Sequence, residues 1–571
     1  MKGRRYRTEL FRLKELAREF AEAVPALAPL LGEAGSDPDV ERLLDAVAFQ
    51  NVLLGRKLES DFPELIQSLA SLILPHYMRP IPASTILSFV ADTSLGRPVT
   101  VPAGAKFDSA PVDGTCCRFA TTRDLEILPL ELVAVMVTPK SVQSIEIRLS
   151  FNLCGLALSQ WRPQGIRLFL AGDRVVATDL YHLLSCHLRR IVVTASGSAP
   201  LTLPAECLHQ VGYYETDVLS PYPSHVFPGY RLLSQYFNAP EKFLFLELTG
   251  LEHWTARGDG KHFEVSFFLD DLSSGEPKLS RDNFVLHAVP AANIFSHGAD
   301  PIMIDHSVSR YYLRPSGPDP KNYWIYSVDR VTGLVRHTGE ERIYEPFELS
   351  GLDTSQNPVF FSEVDILADQ SRCNAYLSLA FPHGSVFPAR ESLSIDLTCT
   401  NGFLPEKLRI GDIRIPVSGI PAHLAAHNIT PVNPGVPPPE SPGLLWQLVM
   451  HHYLNHVKMG KTENLKTLLK LYLSPDDSGG GLTTAKRKRI AGIEGIRVEH
   501  GETLVAGMPL RGNDICLRGR QDHFAGPGDL YLFGCVLDRF LAEYSSVNCY
   551  TRLTLEELMR GECRQWPVRQ M

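Results

Sequence analysis

The sequence predicts a multidomain α+β protein. It has a helical N-terminal region, antiparallel β-sandwich- or barrel-like middle domains, and an α+β C-terminal domain. Three observations predict this. Apolar residues recur at helical spacing over the first ~75 residues. From about Ile81 the apolar period changes to two, the mark of half-buried antiparallel strands. Beyond a Pro-rich stretch, 431–443, helical spacing returns and a strand-like run follows it.

The first helix is read from Tyr6, Leu10, Leu13, Ala17 and Phe20, which line one stripe at steps of 4, 3, 4 and 3. Val24-Pro25 ends it, because an interior proline removes a donor and clashes with the preceding turn. Asp37 can cap free N–H groups and Pro38 suits the first helical position, so a second helix starts there. Its apolar face is Val40, Leu43, Leu44, Val47, Leu54 and Leu58. A third begins near Ser60-Asp61, has Pro63 in its first turn, carries Leu65, Ile66, Leu69, Leu72 and Ile73, and stops at Pro75. Such apolar faces must be covered, by one another or by another chain. The region is taken as 1–82.

The strands follow. Ile145, Ile147, Leu149, Phe151 and Leu153 alternate with Ser144, Glu146, Arg148, Ser150 and Asn152. Phe263, Val265, Phe267 and Leu269 repeat the pattern, as do Leu393, Ile395, Leu397 and Cys399. Asp113-Gly114 is a hairpin-turn signal. Two mainly β domains are expected, 83–285 and 286–430. Residues 429–443 hold six prolines, so 431–443 reads as a linker. The C-terminal domain is then 444–571. Leu444 and Leu448, with Trp446 and Tyr453, indicate one helix, and residues 465–472 another. Asp529 is expected to cap a helix bearing Leu530, Phe533, Leu537, Phe540, Leu541 and Tyr544, before a strand at 547–555.

A length of 571 residues allows about four domains. With 44% hydrophobic and 21% charged residues, the composition excludes a disordered chain and a small stapled scaffold. Gly and Pro number 42 each, which favours many turns and short strands. Acids outnumber bases 64 to 56, giving −8, whereas phosphate backbones need a concentrated basic surface. No nucleic-acid partner is expected. The one basic run, Lys486-Arg487-Lys488-Arg489, follows a Gly-rich turn and reads as a solvated loop, with anion or partner binding as the alternative. The 11 cysteines are scattered, and Cys154, Cys399 and Cys535 lie in apolar runs, as reduced cytosolic thiols do. The start of the chain shows no apolar signal-peptide core. No uncharged apolar run approaches the ~18 residues of a membrane span.

Motifs for chemistry are not found. Gly460-Lys461-Thr462 resembles the end of a phosphate loop, but Asn455 stands where its first glycine belongs, so a helix end is the reading. His452 and His456 are four apart without a third ligand. His287, His297, Asp300, Asp305 and His306 are irregularly spaced around Pro290 and Pro301 and read as a loop. No GxSxG elbow is present. No cofactor and no metal are expected.

Several strings, in order and over nearly the whole chain, carry a resemblance. They begin with Tyr6-Arg7-Thr8-Glu9-Leu10, Asp37-Pro38-Asp39-Val40-Glu41-Arg42-Leu43-Leu44, Arg56-Lys57-Leu58 and Asp61-Phe62-Pro63-Glu64-Leu65. The sharpest is Pro75-His76-Tyr77-Met78-Arg79-Pro80-Ile81-Pro82. Val101-Pro102-Ala103-Gly104 and Cys117-Arg118-Phe119-Ala120-Thr121-Thr122 follow. The middle has Phe227-Pro228-Gly229-Tyr230-Arg231-Leu232-Leu233, Pro240-Glu241-Lys242-Phe243, Tyr326-Ser327-Val328-Asp329-Arg330-Val331 and Cys399-Thr400-Asn401. The end has Asp522-His523-Phe524-Ala525-Gly526, Leu532-Phe533-Gly534 and Leu537-Asp538-Arg539-Phe540. Together they resemble the TssF (VasA, ImpG) baseplate subunit family of the bacterial type VI secretion system.

The resemblance implies a structural protein, similar to the wedge proteins of contractile phage baseplates, with no catalytic residues. A pair of such chains would join one TssG-type chain and bind TssK- and TssE-type subunits. A ring of wedges would surround the VgrG spike and seed the Hcp tube and the sheath. The place implied is the cytoplasm, at the baseplate docked on the inner membrane. Tyr6, Leu10, Leu13 and Phe20 are expected to enter a helical bundle with the TssG-type partner, an intramolecular three-helix core being the alternative. Leu530, Phe533, Leu537 and Phe540 are expected to help join neighbouring wedges, own-core packing being the alternative. His76 and Tyr77 are expected to pack at the junction, and Phe227-Pro228-Gly229-Tyr230 to form a turn. The competing classes are a carbohydrate-binding or hydrolytic β-sandwich protein, which needs converging carboxylates or metal ligands, and a surface-binding module, which needs a secretory signal.

Overall fold

The computed structural model describes residues 77–438 and 460–570, apart from 91–96, 142–143, 223–227, 271–276, 306–307, 318, 336–338, 348–357, 367–372, 382–389, 420, 422–423, 474–480, 506, 544 and 546–547. Of residues 1–76 it describes only 45–47 and Gln50, all helical, and 77–82 are not helical. The other expected helices of 1–82, with Tyr6, Leu10, Leu13 and Phe20, lie outside the described residues, as does the helix expected after Leu444. The chain divides into two compact units, residues 1–73 with 441–449 and residues 74–440 with 450–571. The second unit is described below.

It is mostly β, and among the described strand pairs all but two are antiparallel. A six-stranded sheet runs in the order Ile413–Ser418, Lys106–Val112, Thr115–Thr121, Ala288–Ala292, Ser84–Val90 and Ala425–Asn428. Leu87, Phe89, Phe107, Phe119, Val289 and Ile413 fill its core. Asp113 and Gly114 both take positive φ, 48° and 80°, as a tight hairpin of matching twist requires. This sheet joins segments that the sequence blocks 83–285 and 286–430 hold apart, since Ser84–Val90 pairs with both Ala288–Ala292 and Ala425–Asn428.

The described part of the Pro-rich stretch, residues 431–438, runs along the start of the same strand and the residues just before it. Ile81 and Val436 exchange backbone hydrogen bonds of 2.8 and 2.9 Å, and Ser84 and Asn433 exchange bonds of 3.2 and 2.8 Å. Prolines cannot donate. The donors come from the non-proline residues between them.

The alternating runs near 145 and 263 are neighbours in a five-stranded sheet. Ile145 faces Leu269, Ile147 faces Phe267, Leu149 faces Val265 and Phe151 faces Phe263. Register and alternation agree, so every inward side chain meets another. Phe151 and Phe263 stack at 5.2 Å, with Trp161 at 5.1 Å from Phe263. A four-stranded sheet centres on Ile166–Leu170 and Phe245–Leu248. A larger sheet is built around Glu391–Thr400 and Trp324–Val335, and Leu393, Ile395, Leu397 and Cys399 are buried in its core.

Five helices are described: α1 (Arg174–Cys186), α2 (Pro228–Asn238), α3 (Thr462–Lys470), α4 (Gly481–Ala491) and α5 (Pro527–Ala542). Strand Met508–Gly519 runs through α5 to the parallel strand Cys549–Glu557. A parallel neighbour needs such a crossover, and this unit makes the C-terminal end α+β. Two local expectations change. The basic run lies in α4, not in a loop, and Arg489 is buried. Pro228-Gly229-Tyr230 opens α2 rather than forming a turn, since proline suits a first helical position.

Candidate functional site

Helix α5 is buried on nearly every side, the mark of a helix enclosed by its own protein. Leu530 is 4% exposed, and Phe533, Leu537 and Phe540 are 0% exposed. This corrects the expectation that these four help join wedges. They are covered by their own chain and present no surface to a neighbour. Helices α1 and α2 and strand Cys549–Glu557 supply the cover.

Glycines set how closely α5 is approached. A Cβ on Gly528 would lie 2.2 Å from the Thr178 carbonyl oxygen of α1. The Gly528 N–H donates to Asp179 Oδ1 at 2.9 Å. A Cβ on Gly534 would lie 2.4 Å from the Trp566 ring. That indole stacks on Tyr531 at 5.6 Å and donates to Cys535 Sγ at 3.4 Å. Trp566 is therefore core, and beyond it the half-buried Arg569 donates to the buried carboxylate of Asp538.

The N-cap of α5 is Gly526, so Asp529 sits inside the first turn rather than capping it. Its carboxylate is fully buried and meets Arg174 at 2.8 Å and Arg489 at 2.7 Å. The Ala525 N–H also donates to it at 3.2 Å. Burial alone raises its pKa, but the Arg174 and Arg489 guanidiniums outweigh burial and hold it below the usual carboxylate range. One residue thereby ties α1, α4 and α5.

A second junction lies where the chain enters the β region. The Tyr77 ring meets Tyr472 at 5.6 Å and Tyr230 of α2 at 6.5 Å. Arg79 sits over the Tyr326 ring at 5.4 Å, and the Tyr326 hydroxyl donates to the Pro221 carbonyl at 2.5 Å. Tyr77 packs at the junction as expected, and His76 lies outside the described residues.

A third junction was missed by sequence reasoning. Asn293 is fully buried. Its amide donates to the Arg118 carbonyl and to Asn401 Oδ1, both at 2.8 Å, and its oxygen accepts from the Asn401 N–H at 2.6 Å. This cross-link fastens the six-stranded sheet to the larger one. Its other members, Arg118 and Asn401, lie in two of the strings that carry the resemblance. The isolated asparagine itself carries no sequence signal.

Those of the residues considered for chemistry that are described form no metal-binding group. Among the described residues no group of three or more His, Cys, Asp or Glu side chains could hold a metal ion. His297 Nε2 lies 2.7 Å from the Ser316 carbonyl oxygen, and the His297 ring stacks on Tyr323 at 4.7 Å. His452, His456 and His306 lie outside the described residues. Lys461 and Thr462 open α3, the helix end expected. Among the described residues no helix is long and apolar enough to cross a membrane.

Apolar side chains do reach the surface in places. Ile410, Ile415 and Val417 are exposed at or beside an edge strand, and Leu504 and Met508 at the tip of the Ile493–Val505/Met508–Gly519 hairpin.

The model of the family described as Type VI secretion system, TssF matches residues 3–571. The chain belongs to that family. Type VI secretion system component TssF1 of Pseudomonas aeruginosa is 27% identical, across 99% of this chain and 98% of that protein. A chain of a type VI secretion system TssK-TssF-TssG baseplate subcomplex, seen by cryo-electron microscopy, superposes with a TM-score of 0.79. It is 29% identical, and the match covers 92% of this chain and 98% of that one. A chain of a type VI baseplate complex, 23% identical, shares the fold with a TM-score of 0.63 over 100% of this chain and 99% of that one. The strings spread from Tyr6 to Phe540 thus mark a TssF family member over its whole length.

Proposed function

We propose that this chain is a structural wedge subunit of a type VI secretion baseplate. It joins TssG- and TssK-type subunits there and performs no catalysis. The observation that carries this reading is the match to a chain of a TssK-TssF-TssG subcomplex, which spans 98% of that chain. The fold is consistent with the role. Buried polar and aromatic junctions lock several sheets into one body, as a part that must transmit force between neighbours requires.

The finer reading follows the family resemblance. Two copies hold one TssG-type chain through the N-terminal stripe Tyr6, Leu10, Leu13 and Phe20. TssE-type subunits, the VgrG spike and neighbouring wedges bind other surfaces, and the assembled ring supports growth of tube and sheath. The site of action is cytoplasmic, at the docked baseplate. Because the apolar face of α5 is enclosed, any wedge-to-wedge contact from the C-terminal region uses other surface.

Co-expression with the cognate TssG-type protein, followed by size-exclusion chromatography and native mass measurement, tests the proposal. The expected product holds two copies of this chain and one of the partner. Two separately eluting proteins would overturn the reading.

A further inference from the structure

Two of the strings singled out in the sequence, around Arg231 and Lys242, meet in a buried cluster that the junctions above do not use. Its members are Arg123, Asp217, Arg231, Gln235 and Lys242. Arg123 is half-buried, and the other four are 3–8% exposed. Arg231 and Gln235 lie on α2, and Lys242 lies on the short 3-10 turn Pro240–Phe243 just after it. Gly212, with φ +104°, lets a neighbouring loop reach them: a Cβ there would lie 2.5 Å from the Lys242 carbonyl oxygen.

The charges do not balance. Asp217 is the one carboxylate among the five. Its Oδ1 lies 2.7 Å from Arg123 Nη1, and its Oδ2 accepts from the Gly212 N–H at 2.9 Å. Among the described residues, Arg231 and Lys242 form no ion pair with a carboxylate of their own. The Lys242 ammonium donates to the neutral Gln235 Oε1. The nitrogen of that amide, Gln235 Nε2, has no partner among the described residues. Neither do Arg231 Nε and Arg123 Nε. Buried donors are almost always bonded, and buried charges are almost always paired. Three unmet donors beside a surplus of positive charge indicate a missing acceptor that is itself negative.

We propose that this cluster binds a small oxyanion, a carboxylate or a phosphate group, held by Arg231, Lys242 and Gln235. Arginine offers a planar fork to such groups and lysine a point charge. The free state has a matching strain. Burial is the main cause that pushes Lys242 down to about 7, Asp217 partly opposes it, and Arg231 and Arg123 add to it. Burial also lowers Arg123. The nearby Glu241 carboxylate is engaged elsewhere, accepting from Asn433 Nδ2 at 2.8 Å. An arriving anion restores the charge on Lys242, so binding weakens as pH rises through about 7.

The oxyanion could be free in solution or a carboxylate of a bound partner protein, and the test separates these sources. Thermal unfolding of the full chain is followed in phosphate, acetate or sulfate against chloride at equal ionic strength. A free-anion site gives a saturable rise in Tm that Arg231→Gln abolishes. With sulfate, whose charge is constant, that rise shrinks from about pH 6 to about pH 8.5 as Lys242 loses its proton. A partner-carboxylate site gives no rise with free anions, but Arg231→Gln weakens the complex with the TssG- or TssK-type subunit by ~10-fold or more. In either case the unliganded Arg231→Gln chain melts at the same or a higher temperature than wild type, because a surplus buried positive charge has gone. An unliganded variant that melts lower would show a counter-charge within the chain and overturn the proposal. No anion effect together with unchanged partner affinity would overturn it as well. This test does not depend on the baseplate reading, since its first arm needs no partner.

Discussion

Arg174 and Asp529 stand 355 positions apart in the chain, yet Arg174 Nη2 lies 2.8 Å from Asp529 Oδ1. Arg489 reaches the other carboxylate oxygen at 2.7 Å. Removing one partner of a buried pair leaves an uncompensated charge, at a cost of about 3–5 kcal/mol. Asp529→Ala is therefore expected to be the most destabilising change of the three, because it strands two guanidiniums. Arg489→Ala should follow, since its side chain is nearly as buried. Arg174→Ala should cost least, because its side chain is 31% exposed. Denaturant unfolding of the full chain measures the order. Equal effects for the three would show that the site is not organised around Asp529. The pH dependence has a definite sign. The folded pKa of Asp529 is depressed, so its contribution is complete above the unfolded value of ~3.9 and is lost as pH falls through the lower folded value.

Two histidines, the half-buried His182 and the buried His287, set a second acid limit with a different window. His182 is pushed down to about 3, by burial first and then by His187 and Arg564. Burial pushes His287 down to about 4. In both, the unfolded chain takes up a proton near pH 6.5 while the folded chain does not. Stability contributed by the neutral rings is present above that value and declines as pH falls toward about 4. The Tm of wild type should drop over this range. His182→Phe together with His287→Gln should flatten the slope between pH 6.5 and 4.5, even if it lowers Tm at pH 7.5. An unchanged slope would assign the acid sensitivity to other groups.

Backbone approach can be tested at Gly528. A methyl group there would meet the Thr178 carbonyl oxygen at 2.2 Å, and backbone cannot step aside as a side-chain tip can. Gly528→Ala should cost about 1–3 kcal/mol or more through overpacking. Gly260→Ala, where the nearest atom is a Leu158 methyl at 3.9 Å, is the matched control and should be near neutral. Proteolysis rates of the two variants compare them directly. A Gly528→Ala chain as resistant as the control would show that α1 and α5 can separate without penalty.

The regular part of this fold was legible because period and burial coincide. The run Ile145 to Leu153 and the run Phe263 to Leu269 each alternate, and the structure pairs them residue by residue. Sheet membership was not legible. Ser84–Val90 finds neighbours about 200 and 340 residues downstream, and local pattern carries no information about partners that distant. Polar junctions were hidden for a related reason. Asn293 and Arg489 look like ordinary surface residues in sequence and Asp529 like a helix cap, and only the folded chain brings each to its counterpart. Helix α5 misled in the opposite way. Its apolar residues run round the whole cylinder, and such a helix is either core or interface until its surroundings are known.

That last ambiguity yields the sharpest contrast between fold and assembly. Phe533 is fully buried and its ring lies 5.4 Å from Tyr236 and 5.5 Å from Phe524. Phe533→Ala should cost about 3–5 kcal/mol and reduce partner binding only through loss of folded chain. Under the proposed function, Leu10→Asp with Phe20→Asp acts the other way. It should abolish the complex with the TssG-type protein, since a charge at each position ruins an apolar bundle seam. The unfolding transition of the body formed by residues 77–438 and 460–570 should stay within about 0.5 kcal/mol of wild type, as for surface changes. Pull-down yield and denaturant midpoint, measured on the same preparations, give the two readouts. Loss of stability in the Leu10→Asp/Phe20→Asp chain would place that stripe in an intramolecular core instead.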